Sequence, residues 1–527
     1  MVADRKAFRQ AVGQQETRGV LPNKTTMKST TPRLSTAPIG LLALLTALSL
    51  APPLRCMAQD TGTGSDPALV QRIDTLLADK ALQTGFQGLL IQSLKDHTTL
   101  YERNADKVFL PASNNKLLTS GAALSLLGPS FFYATRAAAA AAPDRRGVVH
   151  GDLSLIGSGD PLLSSADLAD LAHALRQSGI TKIDGVVTAD DSLFDRQALG
   201  DGWTWDDEPF YYSAQTGALN LDENLVRARV LPGAKEGDPV RVVVTPTEIY
   251  MTVRNLAKTT AAASVSSIAV NRIRGQNILV ITGSLAVDTK DEAAYRETVT
   301  VEDPTQFALT FFREALAKEG IRIGGRHYAP MPTPVTLAQH ASVPLSEILK
   351  RLNKPSDNMI AECLLKTIGA SRKGRGTAGA RGTGAQAARE FFASIGMDVA
   401  HLNQADGSGL SRMNFVSPRV FVQLLTYLHA QPTFPILYDS LPIAGIDGTL
   451  RNRLKDSAVT GNLHAKTGSL SHDSSLSGYI TTKDKEMLVF SILMNNYLPA
   501  DAPAVSIQNK IMLLLADYTR SGAGDGK

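Results

Sequence analysis

Ser113 and Lys116 have the spacing of a nucleophile and its base on one helix. They stand in Pro111-Ala-Ser113-Asn-Asn-Lys116, ahead of the apolar run Leu117 to Leu127. Proline just inside a helix start is favourable, so the pattern predicts Ser113 at the N-terminus of a buried helix, with Lys116 one turn further along the same face. A desolvated lysine with a lowered pKa can activate a serine hydroxyl. Taken alone, the spacing also fits an ordinary helix face.

Two further motifs combine hydroxyl, amide and amine side chains. Lys354-Pro-Ser356-Asp-Asn358 precedes an amphipathic stretch, and His464-Ala-Lys466-Thr-Gly468-Ser469 precedes a predicted terminal hairpin. Each also has a purely structural interpretation. Ser356 or Asp357 could cap a helix, and the second motif could be a strand that ends in a glycine turn.

In this order, the three motifs resemble the signature set of penicillin-binding proteins and serine β-lactamases, Ser-x-x-Lys, Ser-x-Asn and Lys-Thr-Gly. The resemblance implies serine acyl transfer. Ser113 would attack the substrate, Lys116 and Ser356 would move protons, and Asn358 would orient the substrate amide.

The resemblance also implies how the Lys-Thr-Gly strand binds substrate. Lys466 and Thr467 would hold the terminal carboxylate, and Gly468 would let the substrate backbone approach the edge strand closely. The backbone amides of Ser113 and Ser469 would form the oxyanion hole.

Longer stretches narrow the resemblance to one group within this superfamily. They are Gly151-Asp-Leu-Ser-Leu-Ile-Gly-Ser-Gly-Asp-Pro161, Asp406-Gly-Ser-Gly-Leu-Ser-Arg412 and Gly445-Ile-Asp-Gly-Thr-Leu450. The chain resembles the class C low-molecular-mass penicillin-binding proteins, the type-4 D-alanyl-D-alanine carboxypeptidase/endopeptidases, over essentially residues 65 to 520. In that family Arg412 and an acidic residue of the insertion, best matched by Asp207, would recognise the polar end of the peptide side chain.

The element pattern predicts an α/β (α+β) fold, a β-lactamase/transpeptidase-like domain assembled from both ends of the chain. A helix over Asp66 to Lys80 and a hairpin begin it, and the hairpin of Leu476 to Thr481 with Met487 to Met494 and a helix over Ala504 to Tyr518 end it. The catalytic domain would cover residues 65–146 and 328–520.

The middle of the chain is β-rich, and the resemblance implies that it holds two nested inserted domains which are not needed to form the acyl-transfer site. One would cover 147–215 and 290–327, and the second 216–289. The six alanines from Ala137 to Ala142 fit either a helix or a domain-entry linker. The stretch Arg372 to Arg381 reads as a solvated flexible loop without a functional role.

The N-terminal residues predict export. Lys28 and Arg33 precede the apolar run Ile39 to Leu50, and Cys56-Met-Ala58 follows, which is the layout of a signal peptide that begins at Met27. Residues 1–58 would be extension and signal peptide, and the mature protein would be periplasmic. A lipoprotein cysteine at Cys56 is disfavoured because Pro-Leu-Arg precedes it. With only one other cysteine, the mature domain should lack a disulfide.

Composition excludes several other classes. Hydrophobic residues make up 43%, charged residues 20%, and the formal net charge is only +4, so a disordered chain and nucleic-acid binding are disfavoured. The sequence contains no His-Glu-x-x-His motif and no Cys/His cluster of ligand spacing, so neither a metal nor another cofactor is expected. The expected partners are peptidoglycan stem peptides, and β-lactams as covalent inhibitors.

Three other functions are compatible with parts of the sequence. A serine β-lactamase shares the motifs, but the long interval from Ser113 to Ser356 argues against it. An esterase with a Ser-His-Asp triad is disfavoured because no Gly-x-Ser-x-Gly elbow occurs. A non-catalytic wall-binding homologue stays open, although the intact motifs argue against it. The balance of carboxypeptidase and endopeptidase activity, the diamino acid preference, the oligomeric state and peripheral membrane contact also stay open.

Overall fold

A computed structural model of the protein describes residues 66–246, 249–328, 333–498 and 502–520. The predicted signal peptide and Cys56 lie outside the described residues. The helices are α1 Pro67–Leu77, α2 Asn115–Leu126, α3 Ser165–Gln177, α4 Pro304–Lys318, α5 Leu345–Asn353, α6 Asn358–Lys373, α7 Thr383–Ser394, α8 Pro418–His429, α9 Phe434–Ser440 and α10 Ala502–Ala516.

The strands are short except in one central sheet. They are β1 Phe86–Ser93, β2 Thr99–Arg103, β3 Ala134–Ala139, β4 Val148–Val149, β5 Leu153–Ile156, β6 Lys182–Ile183, β7 Val187–Asp190, β8 Leu225–Leu231, β9 Arg241–Thr245, β10 Thr252–Asn255, β11 Lys258–Thr260, β12 Ala269–Arg272, β13 Ile278–Thr282, β14 Ser284–Ala286, β15 Tyr295–Thr300, β16 Arg322–Ile323, β17 Val335–Ala341, β18 Leu402–Asn403, β19 Phe415–Val416, β20 His464–Leu470, β21 Asp473–Thr481 and β22 Met487–Asn495.

The central sheet joins the two ends of the chain, and this confirms the predicted α/β architecture. Its five strands run in the order β2–β1–β22–β21–β20, and each neighbouring pair is antiparallel. The first and last helices are also confirmed. The first begins one residue later than predicted because Asp66 is its N-cap, with a side chain that accepts from the Ala68 amide.

Helices cover both faces of this sheet because its strands are apolar on both sides. Alternate residues of a strand point to opposite faces. Leu89 and Ile91 of β1 pack in a core with Ile73 of α1 and Ile511 of α10. Leu90 between them packs in the other core, which includes Phe421 of α8 and the apolar side of α2. The sheet therefore fixes α2, which carries Lys116, on one of its faces.

Strand pairing bears on where the insertion begins and ends. Residues 137–139 of the alanine run end the strand β3 instead of forming a helix, and residues 140–142 follow outside any helix or strand. β3 pairs with β17 and with β5 in a sheet of order β17–β3–β5–β7. Alanine suits this position because β3 is buried at residues 137–139. We therefore propose that the insertion begins near residue 134 and ends near residue 341.

The β-rich stretches of the middle region are confirmed as strands. β15 pairs antiparallel with β8, and β8 with β9, while β10, β13 and β12 form a second three-stranded sheet. Because β15 belongs to the same sheet as β8, we propose that the nested domain extends to about residue 300 rather than 289.

The prediction of a solvated flexible loop at Arg372 to Arg381 is wrong. Its first residues complete α6, and Gly374 ends that helix in the left-handed conformation at φ 82°. Gly376 then pairs with Phe194, and the Ala378 amide donates to the Asp195 carboxylate at 2.8 Å. The stretch is thus tied to the inserted region. No helix of the described ranges has the length and apolar character needed to cross a membrane.

Candidate active site

Ser113 lies in a 3₁₀ turn, Ala112–Asn114, that leads directly into α2. Its neighbours from 111 to 115 are buried, whereas Ser113 itself is half-buried. Ala112 has φ 47°, in the left-handed region that residues other than glycine adopt at a cost. The predicted position at a helix start is confirmed, and the strained turn places the hydroxyl within reach of Lys116 Nζ.

Lys116 is fully buried behind Ser113 and makes three hydrogen bonds. Its Nζ lies 3.0 Å from Ser113 Oγ, 2.6 Å from Asn358 Oδ1 and 2.8 Å from the carbonyl oxygen of Ser408. The amide oxygen of Asn358 and the Ser408 carbonyl can only accept. In the neutral amine, the lone pair is therefore left for the Ser113 hydroxyl, which is the one partner able to donate. This arrangement lets Lys116 act as a general base.

The pKa of Lys116 is lowered to about 8, mainly because burial disfavours its charged form. The carboxylates of Asp406, Asp357 and Glu362 oppose that shift by stabilising the ammonium. A base whose pKa lies this close to neutrality is available in its neutral form and can still return the proton.

The Ser-x-Asn motif both caps a helix and supplies side chains to the site. Asp357 is the N-cap of α6 and accepts from the Ile360 amide at 2.8 Å. Burial raises the pKa of Asp357 to about 6. Ser356, just before this cap, has φ 68°, so its hydroxyl is held by a strained backbone rather than by a helix. Asn358 opens α6 with its oxygen on Lys116.

Lys466 joins the third motif to the second. It is fully buried on β20, and its Nζ donates to Ser356 Oγ at 2.8 Å and to the Thr467 carbonyl at 2.9 Å. Burial, and the nearby charge of Lys116, hold the pKa of Lys466 well below its usual value. The three motifs are thus connected. Ser113 contacts Lys116, which contacts Asn358, and Ser356 of the same motif as Asn358 contacts Lys466.

Gly468 is required by packing within the protein, while the predicted close approach of the substrate backbone stays a prediction. A Cβ at this position would lie 2.3 Å from Ser475 Oγ, 2.8 Å from the Ser113 amide nitrogen and 2.9 Å from the Pro111 carbonyl oxygen. The close approach is thus to the turn that carries the nucleophile. Ser469 follows as an exposed residue of the edge strand β20. Its role in an oxyanion hole with Ser113 stays a prediction, which this close approach supports.

The inserted region contacts the site; that it is not needed to form the site stays a prediction. Asn358 Nδ2 donates to the Tyr212 carbonyl at 2.7 Å across 146 residues of sequence. Trp203 Nε1 donates to the Asp406 carboxylate at 2.9 Å. Sequence reasoning missed both contacts; a backbone acceptor such as Tyr212 leaves no motif.

Arg412 and Asp207, the two residues predicted to recognise the peptide side chain, each bind other groups of the protein. The Arg412 guanidinium donates to Asp473 at 3.1 Å, in an ion pair, and to the Ser471 carbonyl at 3.2 Å. Asp207 is buried and accepts from Tyr212 Oη at 2.9 Å and from the Thr204 hydroxyl. Arg412 remains about half exposed at 46% of its side chain, so it is still accessible to a substrate. Substrate recognition by these two residues stays a prediction.

Thr449 is a further polar residue of the site to which sequence reasoning gave no role. Its Oγ1 lies 2.7 Å from Thr467 Oγ1, and its backbone amide donates to the Lys354 carbonyl at 3.0 Å. Lys354 in turn forms an ion pair with Asp447 at 2.7 Å. The stretch 445–450 therefore links the Ser-x-Asn motif to the Lys-Thr-Gly strand.

The arrangement suits acyl transfer through a serine. Among the described residues, no group of three or more His, Cys, Asp and Glu side chains is placed to hold a metal ion. Cys363 is buried on α6, and burial raises the pKa of its thiol well above the usual value, which disfavours the nucleophilic thiolate.

Comparisons with known proteins agree with this chemistry. Residues 69–518 match the model of a family described as the D-Ala-D-Ala carboxypeptidase 3 (S13) family. A D-alanyl-D-alanine carboxypeptidase of Actinomadura sp. (strain R39) is 38% identical over 474 residues, which are 87% of this chain and 86% of the relative. The carboxypeptidase DacB of Haemophilus influenzae is 28% identical over 82% of this chain and 91% of its own length.

A solved structure extends the likeness to the fold. The crystal structure of penicillin binding protein 4 (dacB) from Haemophilus influenzae superposes with a TM-score of 0.74 at 26% identity. It covers 85% of this chain and 99% of that one.

Proposed function

Because this chain belongs to the D-Ala-D-Ala carboxypeptidase 3 (S13) family of serine peptidases, we propose that it cleaves D-alanyl-D-alanine bonds of peptidoglycan through an acyl-enzyme on Ser113. The observation that carries the proposal is the contact of Lys116 Nζ with Ser113 Oγ at 3.0 Å, inside a cluster that also contains Ser356 and Lys466. The β-lactamase and wall-binding alternatives lack an observation in their favour.

Acylation begins with neutral Lys116. As Ser113 Oγ attacks the carbonyl carbon of the penultimate D-alanine, Lys116 takes the hydroxyl proton. The negative charge that forms on the carbonyl oxygen faces the Ser113 and Ser469 amides. The C–N bond then breaks, the leaving amine takes a proton relayed by Lys116 and the Ser356 hydroxyl, and the terminal residue departs.

The Lys466 region binds the terminal carboxylate. Both hydrogen-bond acceptors of Lys466 Nζ are neutral, and burial lowers its pKa. A carboxylate placed beside it reverses part of that shift, because an opposite charge favours the ammonium. Thr467, held by Thr449, adds a hydroxyl donor to the same carboxylate.

Deacylation repeats the steps with water as the nucleophile. Lys116 removes a proton from water as it attacks the ester carbonyl, and Ser113 leaves with that proton. A β-lactam forms the same ester, but its opened ring stays attached and hinders the attack. The Haemophilus influenzae protein has been crystallised with a β-lactam, and we propose that β-lactams acylate this chain also.

The substrate is the stem peptide of peptidoglycan, met in the periplasm after export. The family resemblance would place Arg412 and Asp207 near the peptide side chain. We propose that the half-exposed Arg412 guanidinium contacts the polar end of that side chain. Release of the terminal D-alanine and cleavage of D-alanyl cross-links use the same machinery, so both belong to the proposal.

The test uses purified muropeptides and mass spectrometry. The protein without residues 1–58 is incubated with a monomeric pentapeptide muropeptide and, separately, with a cross-linked dimer, and Ser113→Ala serves as the control. We expect loss of one alanine from the pentapeptide, cleavage of the dimer to monomers, and neither product with the control. Intact substrates after prolonged incubation would overturn the proposal.

A further inference from the structure

Glu362 is a buried carboxylate that the steps above do not use. It lies on α6, four residues after Asn358, and is 5% exposed. Residues four apart share one face of a helix, so Glu362 and Asn358 face the same neighbours. A carboxylate this deeply buried is costly unless its oxygens are hydrogen-bonded. Its partners therefore indicate what it is there to hold.

Those partners are two backbone amides of the turn at 406–411. Both carboxylate oxygens of Glu362 accept from the Gly407 amide at 3.0 Å, and Oε1 also accepts from the Ser408 amide at 2.9 Å. From the other side, Asp406 accepts from the Gly409 amide at 2.7 Å and the Ser411 amide at 2.8 Å. Two carboxylates thus fix four amides of a single turn.

The turn held in this way contacts α2, which carries Lys116, and lies against the 3₁₀ turn that carries Ser113. The Ser408 carbonyl accepts from Lys116 Nζ, and the Gly407 carbonyl accepts from Thr119 Oγ1 at 2.7 Å. Gly409 has φ 88°, and a Cβ there would lie 1.8 Å from the carbonyl oxygen of Ala112, the residue before the nucleophile. A shift of the turn would therefore move the acceptor of Lys116 and press on the Ser113 turn.

Charge links the same groups. The carboxylates of Asp406, Asp357 and Glu362 all act on Lys116, and Asp406 also acts on Glu362. Burial, and then the Asp406 charge, raise the pKa of Glu362 to about 7. When it is ionised, Glu362 in turn helps to raise the pKa of Lys116 against the effect of burial.

We propose that Glu362 is a positioning residue for acyl transfer, whose carboxylate holds the 407–408 backbone so that the Ser408 carbonyl orients Lys116 toward Ser113. The inference rests on the proposed function, since it assigns Lys116 as the base. Glu362 does not touch the substrate and acts through the turn.

The experiment measures the rate of acylation by penicillin G as a function of pH, by intact-mass spectrometry, from about pH 6 to about pH 10. In the wild type the rate rises as Lys116 loses its proton, near the pKa of about 8. For Glu362→Gln we expect a plateau rate at least about ten-fold lower, since the NH₂ group that replaces Oε2 cannot accept the second bond from the Gly407 amide, and the remaining bonds lose their charge. The rise itself should move to lower pH, because a charge that stabilises the Lys116 ammonium is gone.

Lys366→Met is the matched control, since Lys366 lies four residues further along α6 and is also buried, but binds Asp195 of the insertion instead of the turn. We expect this variant to keep the position of the rise and the plateau. The same changes in both variants, or an unchanged plateau and rise in Glu362→Gln, would overturn the inference.

Glu362→Asp separates geometry from charge and serves if Glu362→Gln fails to fold. The shorter carboxylate keeps its charge but reaches the turn less well, so we expect a lower plateau with the rise at its wild-type pH. A wild-type plateau in this variant would overturn the positioning role. The absence of any adduct on the wild-type protein would overturn the proposed function itself.

Discussion

The two buried lysines of the site, Lys116 and Lys466, lie in regions that differ in charge. The Lys116 region consists of α2, α6 and the turn at 406–411, and three carboxylates there stabilise the ammonium. The Lys466 region consists of β20, Ser356 and Thr449, and the charge that acts on Lys466 from the described residues is that of Lys116, not of a carboxylate. Burial lowers the pKa of both lysines. The carboxylates limit this effect at Lys116, whose pKa is about 8, whereas the pKa of Lys466 is held well below its usual value.

The difference assigns the two amines different tasks. A base that must take and return a proton in each half-reaction needs a pKa near neutrality, which the carboxylates around Lys116 provide. An amine that must bind an anion binds it more strongly when no other negative charge already stabilises its ammonium form. In the Lys466 region the stabilising negative charge therefore comes from the substrate carboxylate. In the Lys116 region the protein itself supplies it.

The largest expected effect comes from removing each lysine in turn. Lys116→Met should slow acylation by penicillin G by about a thousand-fold or more, since the base is lost. It should also lower the free energy of unfolding by about 1 kcal/mol, because the Asn358 and Ser408 oxygens lose their donor and the nearby buried carboxylates lose a cation. Lys466→Met should likewise impair acylation by carboxylate-bearing substrates. Its stability should be unchanged or higher, because an apolar side chain replaces a buried amine whose charged form no carboxylate of the described residues stabilises.

Urea unfolding of both variants, together with acylation rates, checks this pair of predictions. Equal losses of stability in the two variants would show that the two regions do not differ in charge as described.

A smaller effect is expected where the two regions meet. Gly468→Ala introduces a Cβ within 3 Å of the Ser113 amide nitrogen and the Pro111 carbonyl oxygen. Because backbone cannot yield as a side-chain end can, β20 or the nucleophile turn must shift, and acylation should fall by about ten-fold to a hundred-fold. Gly478→Ala is a comparison in the neighbouring strand, where the new Cβ meets β20 at His464 and Ala465 rather than Ser113. Acylation rates that fall equally in both would contradict a specific contact with the nucleophile.

The smallest expected effect is on the pH dependence of stability. Burial raises the folded-state pKa of Glu362 from 4.5 to about 7. The folded state therefore binds this proton more tightly than the unfolded state, and the contribution to stability is present below pH 4.5 and lost as pH rises through about 7. Wild type should lose more unfolding free energy than Glu362→Gln across this range. Curves of unfolding free energy against pH that run parallel for the two proteins would contradict the raised pKa of Glu362. They would also argue against the charge difference between the two regions.

Sequence alone predicted the parts of the site that are carried by side-chain motifs. Ser113, Lys116, Ser356, Asn358 and Lys466 meet as expected, because each motif has a fixed place at a helix start or on an edge strand. The sequence also predicted a central sheet built from both chain ends, since its strands and helices have clear apolar periodicity.

The rest depends on contacts that leave no local pattern. The Tyr212 carbonyl binds Asn358 through its backbone, so any residue type could stand there. Glu362 looks like one more polar residue of an amphipathic helix until the turn at 406–411 is placed against it. The alanine run was ambiguous because alanine favours helices when isolated, yet β3 is set by pairing with β5 and β17.

The central claim, that Ser113 is the nucleophile of an acyl-enzyme, is tested most directly by brief incubation of the mature protein with penicillin G. Intact-mass spectrometry and peptide mapping would follow, with Ser113→Ala as the control. The account predicts one adduct, located on the peptide that contains Ser113 and absent from the control, whose folding should be unchanged. An adduct that persists in Ser113→Ala, or maps to another residue, would contradict it.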